Sequence, residues 1–271
     1  INDSFKKLFR IDKKKEYIIK PTNSQGSREV FKLKGQKGQK KIKKILNKPN
    51  FTNYIVEEYI SGQDMSVEGF VEKKNFYLLG ISKKKKFKKS FFDKELIYTH
   101  VEKKLSKRLV KICSLITETL GLDKGLFHAE FKYLKNKKIF LIEAACRGAG
   151  SDVTNLILKV TKNFDYRKFL YSLCFNLDYN FKYNVKKKLT NCLLGWYEFK
   201  DLKVKNINLR KALYKKFLID IKLKKNYKNK NLSIINNTSD RYLKYIINGK
   251  NQKELIKNQK ILLKSIEVNY V

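Results

Sequence analysis

The sequence has little arginine, although its 271 residues are strongly basic. Arginine supplies seven of the 63 basic residues and lysine the other 56, and the formal net charge is +38. Proteins that read bases or grip phosphates rely on the planar arginine fork, which bonds two acceptor atoms at once. The shortage of arginine therefore disfavours specific nucleic-acid binding, and a polybasic nucleic-acid binder remains a minor alternative.

Cysteine and histidine are also scarce. The four cysteines form no CxxC pair and only two histidines could join them, so neither a zinc site nor a disulfide framework is indicated. No apolar run reaches membrane-spanning length, and no signal-peptide pattern opens the chain. We therefore expect reduced thiols, a cytoplasmic location and no membrane partner. Because the first residue is Ile rather than Met, we also expect a fragment or a processed product.

Residues that build a core are plentiful, with 42% hydrophobic and 13% aromatic residues. Alternating patterns predict groups of strands, and single amphipathic segments between them predict helices. The lysine-rich stretch 83–89 is predicted to form a solvated loop, and NLSIINN (231–237) a strand. Together the elements predict an α+β fold with largely antiparallel sheets. Helices are predicted over residues 36–50, 102–120, 155–160, 165–175 and near the C-terminus.

The most informative stretch is LFHAEFKYLKNKKIFLIEAACRGAGSD, residues 126–152. Its first half alternates polar and apolar residues, as a strand does when one of its faces is packed. IFLIEAA then predicts a buried partner strand. If the polar link 135–138 closes a hairpin, Glu130 lies directly opposite Glu143.

Two carboxylates that face each other on one side of a sheet repel, and a carboxylate among apolar neighbours is costly unless something compensates it. A divalent cation at Glu130 and Glu143 would compensate both. The same register sets Phe131 opposite Ile142. The alternative is that Glu130 lies on a solvated face and Glu143 ends a strand, and the hairpin alone does not decide between the two.

Two further segments have loops that could approach phosphate. Arg147, Gly148, Gly150 and Ser151 form a flexible cationic turn just beyond the predicted metal site, which favours that interpretation. YIIKPTNSQGSREVFKL predicts a hairpin with a polar tip at 22–27. Its tip matches neither a Walker A sequence nor GxGxxG, so a plain surface hairpin is an equal alternative.

Taken together, these motifs and VEEYISGQD resemble the ATP-grasp superfamily, in particular its carboxylate-amine ligase branch, of the biotin carboxylase, carbamoyl-phosphate synthase and D-alanyl-D-alanine ligase type. The resemblance covers roughly residues 17–162, with a weaker echo in TSDRYLKYIINGKNQKELI. It implies two mostly antiparallel α+β subdomains that clasp ATP, and a small C-terminal α/β subdomain. We expect the boundaries 1–61, 62–189 and 190–271.

The resemblance also implies roles for single residues. Glu130 and Glu143 would bind Mg²⁺, with Mn²⁺ as an alternative, and Lys20 and Arg147 would be catalytic. His128, on the same side as Glu130, would assist the metal or the substrate, or be purely structural. The implied nucleotide-binding residues are Lys20, Ser24, Gly26, Ser27, Glu57, Glu58, Tyr59, Ile60 and Asp64.

The sequence departs from the family pattern at three points. Ala145 stands where the family usually has an asparagine that also binds magnesium, and Glu29 stands where a glycine usually continues the loop. The N-terminal domain of the family would lie upstream of Ile1, so we expect it to be missing from this chain.

The resemblance implies that a substrate carboxylate attacks the γ-phosphate of ATP, and that an amine or similar nucleophile then displaces phosphate from the acyl phosphate. The implied partners are a small-molecule carboxylate, an amine and the missing domain, and a homodimer is left open. We expect this chain alone to turn over little substrate. The alternative is an ATP-binding module without catalysis, which Ala145 and the missing domain both favour.

Overall fold

The computed structural model describes residues 12, 14–24, 26–34, 54–88, 90–99, 101–150, 152–161, 164–178, 191–210 and 213–271. The helix predicted over 36–50 lies outside these residues, as do His100 and Ser151. The chain divides into two compact units. The first comprises residues 1–61 and 236–238, and the second comprises 62–235 and 239–271.

The first unit contains a three-stranded antiparallel sheet made of β1 (Glu16–Pro21), β2 (Phe31–Lys34) and β3 (Tyr54–Glu58), with β1 in the middle. Ile19 and Leu33 are buried on one face of this sheet, where Phe31, Tyr54 and Val56 pack against them. The hairpin predicted from YIIKPTNSQGSREVFKL is therefore confirmed.

The second unit is organised around an eight-stranded sheet in which all neighbours are antiparallel. Its strands are β4 (Gln63–Glu72), β5 (Asn75–Lys86), β6 (Asp93–Tyr98), β7 (Gly125–Tyr133), β8 (Ile139–Ala145), β9 (Cys192–Trp196), β11 (Leu218–Leu223) and β13 (Leu243–Asn248). Their order across the sheet is β11-β13-β9-β6-β5-β4-β7-β8. A smaller sheet has the order β12-β10-β14, formed by β10 (Lys203–Leu209), β12 (Lys230–Asn231) and β14 (Ile266–Tyr270).

Helices cover the large sheet on both faces. α1 (Lys103–Thr119) buries Leu109 and Cys113 against Phe127 and Phe131 of β7. On the opposite face, α2 (Val153–Val160) and α3 (Tyr166–Cys174) pack in a second core cluster of aromatic and aliphatic side chains. A last helix, α4 (Gln252–Lys264), packs in a third cluster with β9 and β13. The predicted α+β architecture with mostly antiparallel strands is confirmed.

The helix predicted over 102–120 agrees with α1 and ends as expected, since Gly121 has the left-handed φ of 64° that glycine tolerates best. Leu120, however, is exposed rather than on the buried side. Among the described residues, none of the helices combines the length and the apolar character needed to cross a bilayer.

Three predictions for single elements are wrong. The lysine run is not a solvated loop, because residues 83–86 continue β5 inside the sheet. β8 is an edge strand with exposed Phe140 and Leu141, not a buried partner. Only Asn231 of NLSIINN lies in a strand, because turns follow it. In addition, the sequence pattern missed β6, β10, β11 and β14.

The predicted boundary between 189 and 190 falls within the fold of the second unit. Strands β9, β11 and β13 come from the region 190–271, and β9 pairs with β6 from the region 62–189. The two regions therefore share one sheet, and the division of the chain into three subdomains stays a prediction.

Candidate active site

Glu130 and Glu143 are direct cross-strand partners in the pairing of β7 with β8. The register inferred from the hairpin is thus confirmed at this pair, and also at His128, which faces Ala145. Beyond Glu130 the register shifts by one residue. Phe131 therefore faces Leu141 instead of Ile142, which was the predicted partner. A β-bulge explains the difference, because β8 has one extra residue between the partners of Glu130 and Phe131.

Lys84 of β5 is the charged neighbour of this carboxylate pair that the sequence pattern missed. Its Nζ contacts Glu130 Oε1 and lies 3.0 Å from Asp93 Oδ2, and the residue is only 6% exposed. Burial opposes the charge, but attraction to Asp93 and Glu130 outweighs it and raises the pKa of Lys84. Extending the alternation of β5 beyond Ser82 would have placed Lys84 on this face of the sheet.

The lysine corrects the expectation that only a metal compensates the facing carboxylates. Burial by itself would raise the pKa of Glu130, but attraction to Lys84 and hydrogen bonding to His128 hold it well below its ordinary value. Glu130 is therefore ionised and partnered within the protein. The repulsion from Glu143 is offset in part before any cation binds.

His128 joins the same cluster through both ring nitrogens. Its Nδ1 lies 3.0 and 2.9 Å from the two carboxylate oxygens of Glu68, and its Nε2 lies 3.4 Å from Glu130 Oε1. Burial favours the neutral ring, but hydrogen bonds to Glu130 and Glu68 raise the pKa of His128 to about 9. The imidazole is thus held between two carboxylates on the polar face of β7.

The cluster has a donor set that fits a divalent cation. One ligand atom each from His128, Glu130 and Glu143 can be chosen so that all three lie within 4.8 Å of one another. Carboxylate oxygens are the ligands that hard cations such as Mg²⁺ prefer. The residues therefore fit the predicted metal, and the metal role of the two glutamates stays a prediction.

Asp64, predicted to hold the ribose, lies at the start of β4 with two lysines around it. Its Oδ1 is 2.8 Å from Lys132 Nζ and 3.8 Å from Lys86 Nζ. Arg147 follows the end of β8 and donates a hydrogen bond of 2.9 Å to the carbonyl of Gly148. Its exposed side chain therefore bends back onto the turn that carries it.

The first unit contains the remaining predicted nucleotide residues. Lys20 Nζ lies 2.7 Å from Glu57 Oε2, and Lys32 Nζ lies 3.6 Å above the ring of Tyr59. Ser24, Gly26 and Ser27 lie in the loop between β1 and β2, and Glu58 and Ile60 lie at and beyond the end of β3. Because Lys20 and the glutamate pair belong to different units, their action on one nucleotide stays a prediction.

Glu29 explains one departure of the loop sequence from the family pattern. It has a left-handed φ of 53°, the conformation that glycine adopts at little cost. Its carboxylate accepts a hydrogen bond of 2.8 Å from the hydroxyl of Tyr54. The loop therefore keeps a glycine-like backbone here, and a contact from the side chain helps to hold it.

A second group of charged side chains in the second unit was also missed. Arg241 stacks on Trp196, with its guanidinium carbon 3.7 Å from the ring centroid, and Lys244 Nζ lies 2.9 Å from Asp152 and 3.2 Å from Asp220. Burial lowers the pKa of Arg241 to about 10, although Asp93 and Asp152 oppose the change. These partners are far apart in sequence, so no local pattern could have grouped them.

The family model described as ATP-grasp domain matches residues 13–155, which is more than half of the chain. The chain therefore belongs to the ATP-grasp family, as its motifs predicted. A search of curated protein sequences gave no match.

Solved structures with the same fold include several enzymes. L-amino acid ligase from Bacillus licheniformis superposes with a TM-score of 0.77 at 15% identity, over 94% of this chain and 64% of that chain. Phosphoribosylglycinamide synthetase from Anaerococcus prevotii gives 0.64 at 15% identity, over 100% and 68% of the two chains. The biotin carboxylase domain of 2-oxoglutarate carboxylase from Hydrogenobacter thermophilus, crystallised with MgADP, ADP and bicarbonate, gives 0.70 at 11%, over 100% and 61%.

These identities are low, so the likeness shows the fold alone. This chain spans less than two thirds of the L-amino acid ligase and of the biotin carboxylase domain.

Proposed function

We propose that this chain is the ATP-binding part of a Mg²⁺-dependent ligase, which activates a substrate carboxylate as an acyl phosphate for attack by an amine or similar nucleophile. The observation that carries the proposal is the direct pairing of Glu130 with Glu143, beside the buried Lys84, within an ATP-grasp domain. The names of two structural neighbours, a ligase and a synthetase, are consistent with this class of reaction.

Phosphoryl transfer requires positioning and charge neutralisation more than covalent chemistry from the protein. Mg²⁺ held by Glu130 and Glu143 would supply positive charge at the ATP phosphates. Lys84 adds a second cation at the same place, and its salt bridges fix where that cation points. A buried charge that needs no reorientation during the reaction stabilises developing negative charge more effectively than a solvated one.

The other predicted residues take complementary roles. Lys20 would neutralise phosphate charge, with Glu57 holding it in place until the nucleotide arrives. Asp64 would accept the ribose hydroxyls, and the run from Glu57 to Ile60 would hold the adenine. Arg147, on the glycine-containing turn after β8, would reach the transferred phosphoryl group.

Replacing Glu143 with Gln tests the metal role, because the change removes one charge and nearly preserves shape. We expect Mg·ATP affinity to fall by about tenfold or more, in line with the loss of one charged ligand. Fluorescent-nucleotide displacement with and without Mg²⁺ measures the effect. Glu102→Gln is the matched control, because Glu102 is an exposed residue directly before α1. This change should leave the Mg·ATP affinity unchanged.

Turnover distinguishes the ligase from its alternative, an ATP-binding module without catalysis. ADP release should depend on an added carboxylate and amine, and screening amino acids against simple amines would locate the pair. Mg-dependent ATP binding without ADP release under any pair would favour the module. Unchanged Mg·ATP affinity in the Glu143→Gln variant would contradict both the ligase and the Mg-dependent ATP-binding module.

A further inference from the structure

The imidazole of His128 lies at the same corner of the sheet as the paired glutamates. His128 precedes Glu130 by two positions in β7, so both side chains point to the same face of the sheet. Ala145 is its direct partner in β8 and carries only a methyl group. The strand that supplies Glu143 therefore places no polar side chain opposite the imidazole, and the ring has room to face the two carboxylates.

We propose that His128 is a third protein ligand of the divalent cation and binds it through Nε2, beside Glu130 and Glu143. This inference rests on the proposed metal role of the two glutamates. The chosen ligand atoms lie within 4.8 Å of one another. Ligand atoms about 2.1 Å from an octahedral cation lie roughly 3 to 4.2 Å apart, so small side-chain rotations would complete the site.

The surroundings of the ring are those of a metal ligand. Histidines that bind metals almost always direct their other ring nitrogen to a carboxylate, carbonyl or water, which fixes the tautomer and orients the ring. Glu68 has this position, because both its oxygens lie within 3.0 Å of Nδ1 and it is only 2% exposed. If a cation displaced the proton at Nε2 while Nδ1 kept its own, the lone pair of Nε2 would be directed toward Glu130 and Glu143.

The contact with Glu68 is common to a structural histidine and a metal ligand, so the inference depends on the other side of the ring. Nε2 lies 3.4 Å from Glu130 Oε1, in the group of atoms that can close on a cation. Glu130 also contacts Lys84, but a carboxylate offers two oxygens with several lone pairs and can accept a lysine and a metal together. A bound cation would take the place of the proton between the imidazole and the carboxylates.

An imidazole ligand changes which metals the site prefers. Oxygen-only sites suit Mg²⁺, whereas imidazole strengthens the binding of transition metals. We therefore expect Mn²⁺ to bind more tightly than Mg²⁺, and the difference to shrink when His128 is replaced.

The test is pulsed electron paramagnetic resonance of Mn²⁺ bound to the 271-residue chain in the presence of ADP. A metal-bound imidazole couples its nitrogen to the electron spin, and labelling the protein with ¹⁵N-histidine assigns that coupling to histidine rather than to adenine. We expect the coupling in the unaltered protein, so the result does not depend on whether any variant folds. Its absence while Mn²⁺ is bound would overturn the inference.

Variants assign the coupling to one residue, since the sequence has two histidines. His128→Gln should remove the coupling and weaken Mn²⁺ binding by about 10- to 100-fold, whereas His100→Gln should do neither. Loss of the coupling in His100→Gln alone would overturn the inference. Mn²⁺ binding that Glu143→Gln abolishes, without nitrogen coupling in the unaltered protein, would leave the proposed function standing. Mn²⁺ binding that ignores both glutamates would overturn the proposed function and the inference together.

Discussion

The two lysine–glutamate pairs at the predicted ATP site differ mainly in how deeply they are buried. Lys84 and Glu130, in the second unit, have side chains only 5% and 23% exposed. In the first unit, the side chains of Lys20 and Glu57 are 18% and 46% exposed. The comparison teaches that the same two residue types serve different purposes. The buried pair is part of what holds the sheet together, and the less buried pair of the first unit has a lysine that solvent or a ligand can reach in part.

The largest effect is expected for Lys84→Met. The change leaves Asp93 and Glu130 without their buried partner, and breaking a buried ion pair typically costs about 3–5 kcal/mol of unfolding free energy. Urea unfolding of the metal-free protein measures the loss.

Two comparisons control for the substitution itself. Lys73→Met should cost less than about 1 kcal/mol, because it breaks a pair with Asp178 in which the two side chains are 68% and 66% exposed. The double change Lys84→Met with Glu130→Leu should recover part of the stability, because one of the unpartnered carboxylates is removed. Equal losses for Lys84→Met and Lys73→Met would remove the distinction between buried and exposed pairs.

An intermediate effect is expected for Lys94→Met. Lys94 lies 2.5 Å from Glu198, and the two side chains are 25% and 32% exposed. We expect a loss of about 1 kcal/mol at neutral pH, near the upper end for surface ion pairs. Unfolding in urea, compared with the unaltered protein, provides the measurement.

The stability loss of Lys94→Met should depend on pH. Burial by itself would raise the pKa of Glu198, but hydrogen bonding and attraction to Lys94 lower it. A carboxylate with a lowered pKa in the folded state stabilises the protein above its unfolded pKa of about 4.3, and that contribution is lost as the pH falls. The difference between Lys94→Met and the unaltered protein should therefore shrink below about pH 4. A difference that stays constant across this range would show that the lysine acts through packing.

The smallest effect on stability is expected for Lys20→Met, because its partner Glu57 is 46% exposed and ion pairs that reach solvent contribute less than about 1 kcal/mol. ATP affinity should fall instead, by about tenfold, since one cation near the phosphates is lost. Measuring unfolding and nucleotide displacement on the same variant separates the two properties. Lys15→Met, which breaks the more exposed Lys15–Glu58 pair, should change neither by much. A larger stability loss for Lys20→Met than for Lys84→Met would reverse the comparison.

The local sequence was sufficient to predict a contact when the interacting residues belong to one hairpin. Glu130 and Glu143 are thirteen positions apart in strands joined by a short turn, so alternation and the position of the turn set them opposite each other. The bulge beyond Glu130 was not predictable, because either side of an antiparallel pair can accommodate an extra residue. The family followed from the order of several such local motifs, and the match over residues 13–155 confirms it.

Lys84 shows why contacts between residues that are distant in the sequence could not be predicted. In the sequence it is one of several consecutive lysines, and such a run usually indicates a solvated loop. Its partner Glu130 lies 46 positions further along the chain. The strands that carry them, β5 and β7, both pair with β4, which lies between them. Their side chains therefore meet on one face of the sheet. No pattern in the neighbouring residues reports that arrangement.

The sequence by itself determined several elements and local pairings of this protein, because periodicity and turn residues act over a few positions. It set the β7–β8 hairpin, the carboxylate pair and the amphipathic helix α1. Only the tertiary structure decided which lysine is buried beside Glu130, and that Glu68 holds His128. The order of strands in a sheet is a long-range property, and the charge of a side chain has its effect only once burial and partners are known.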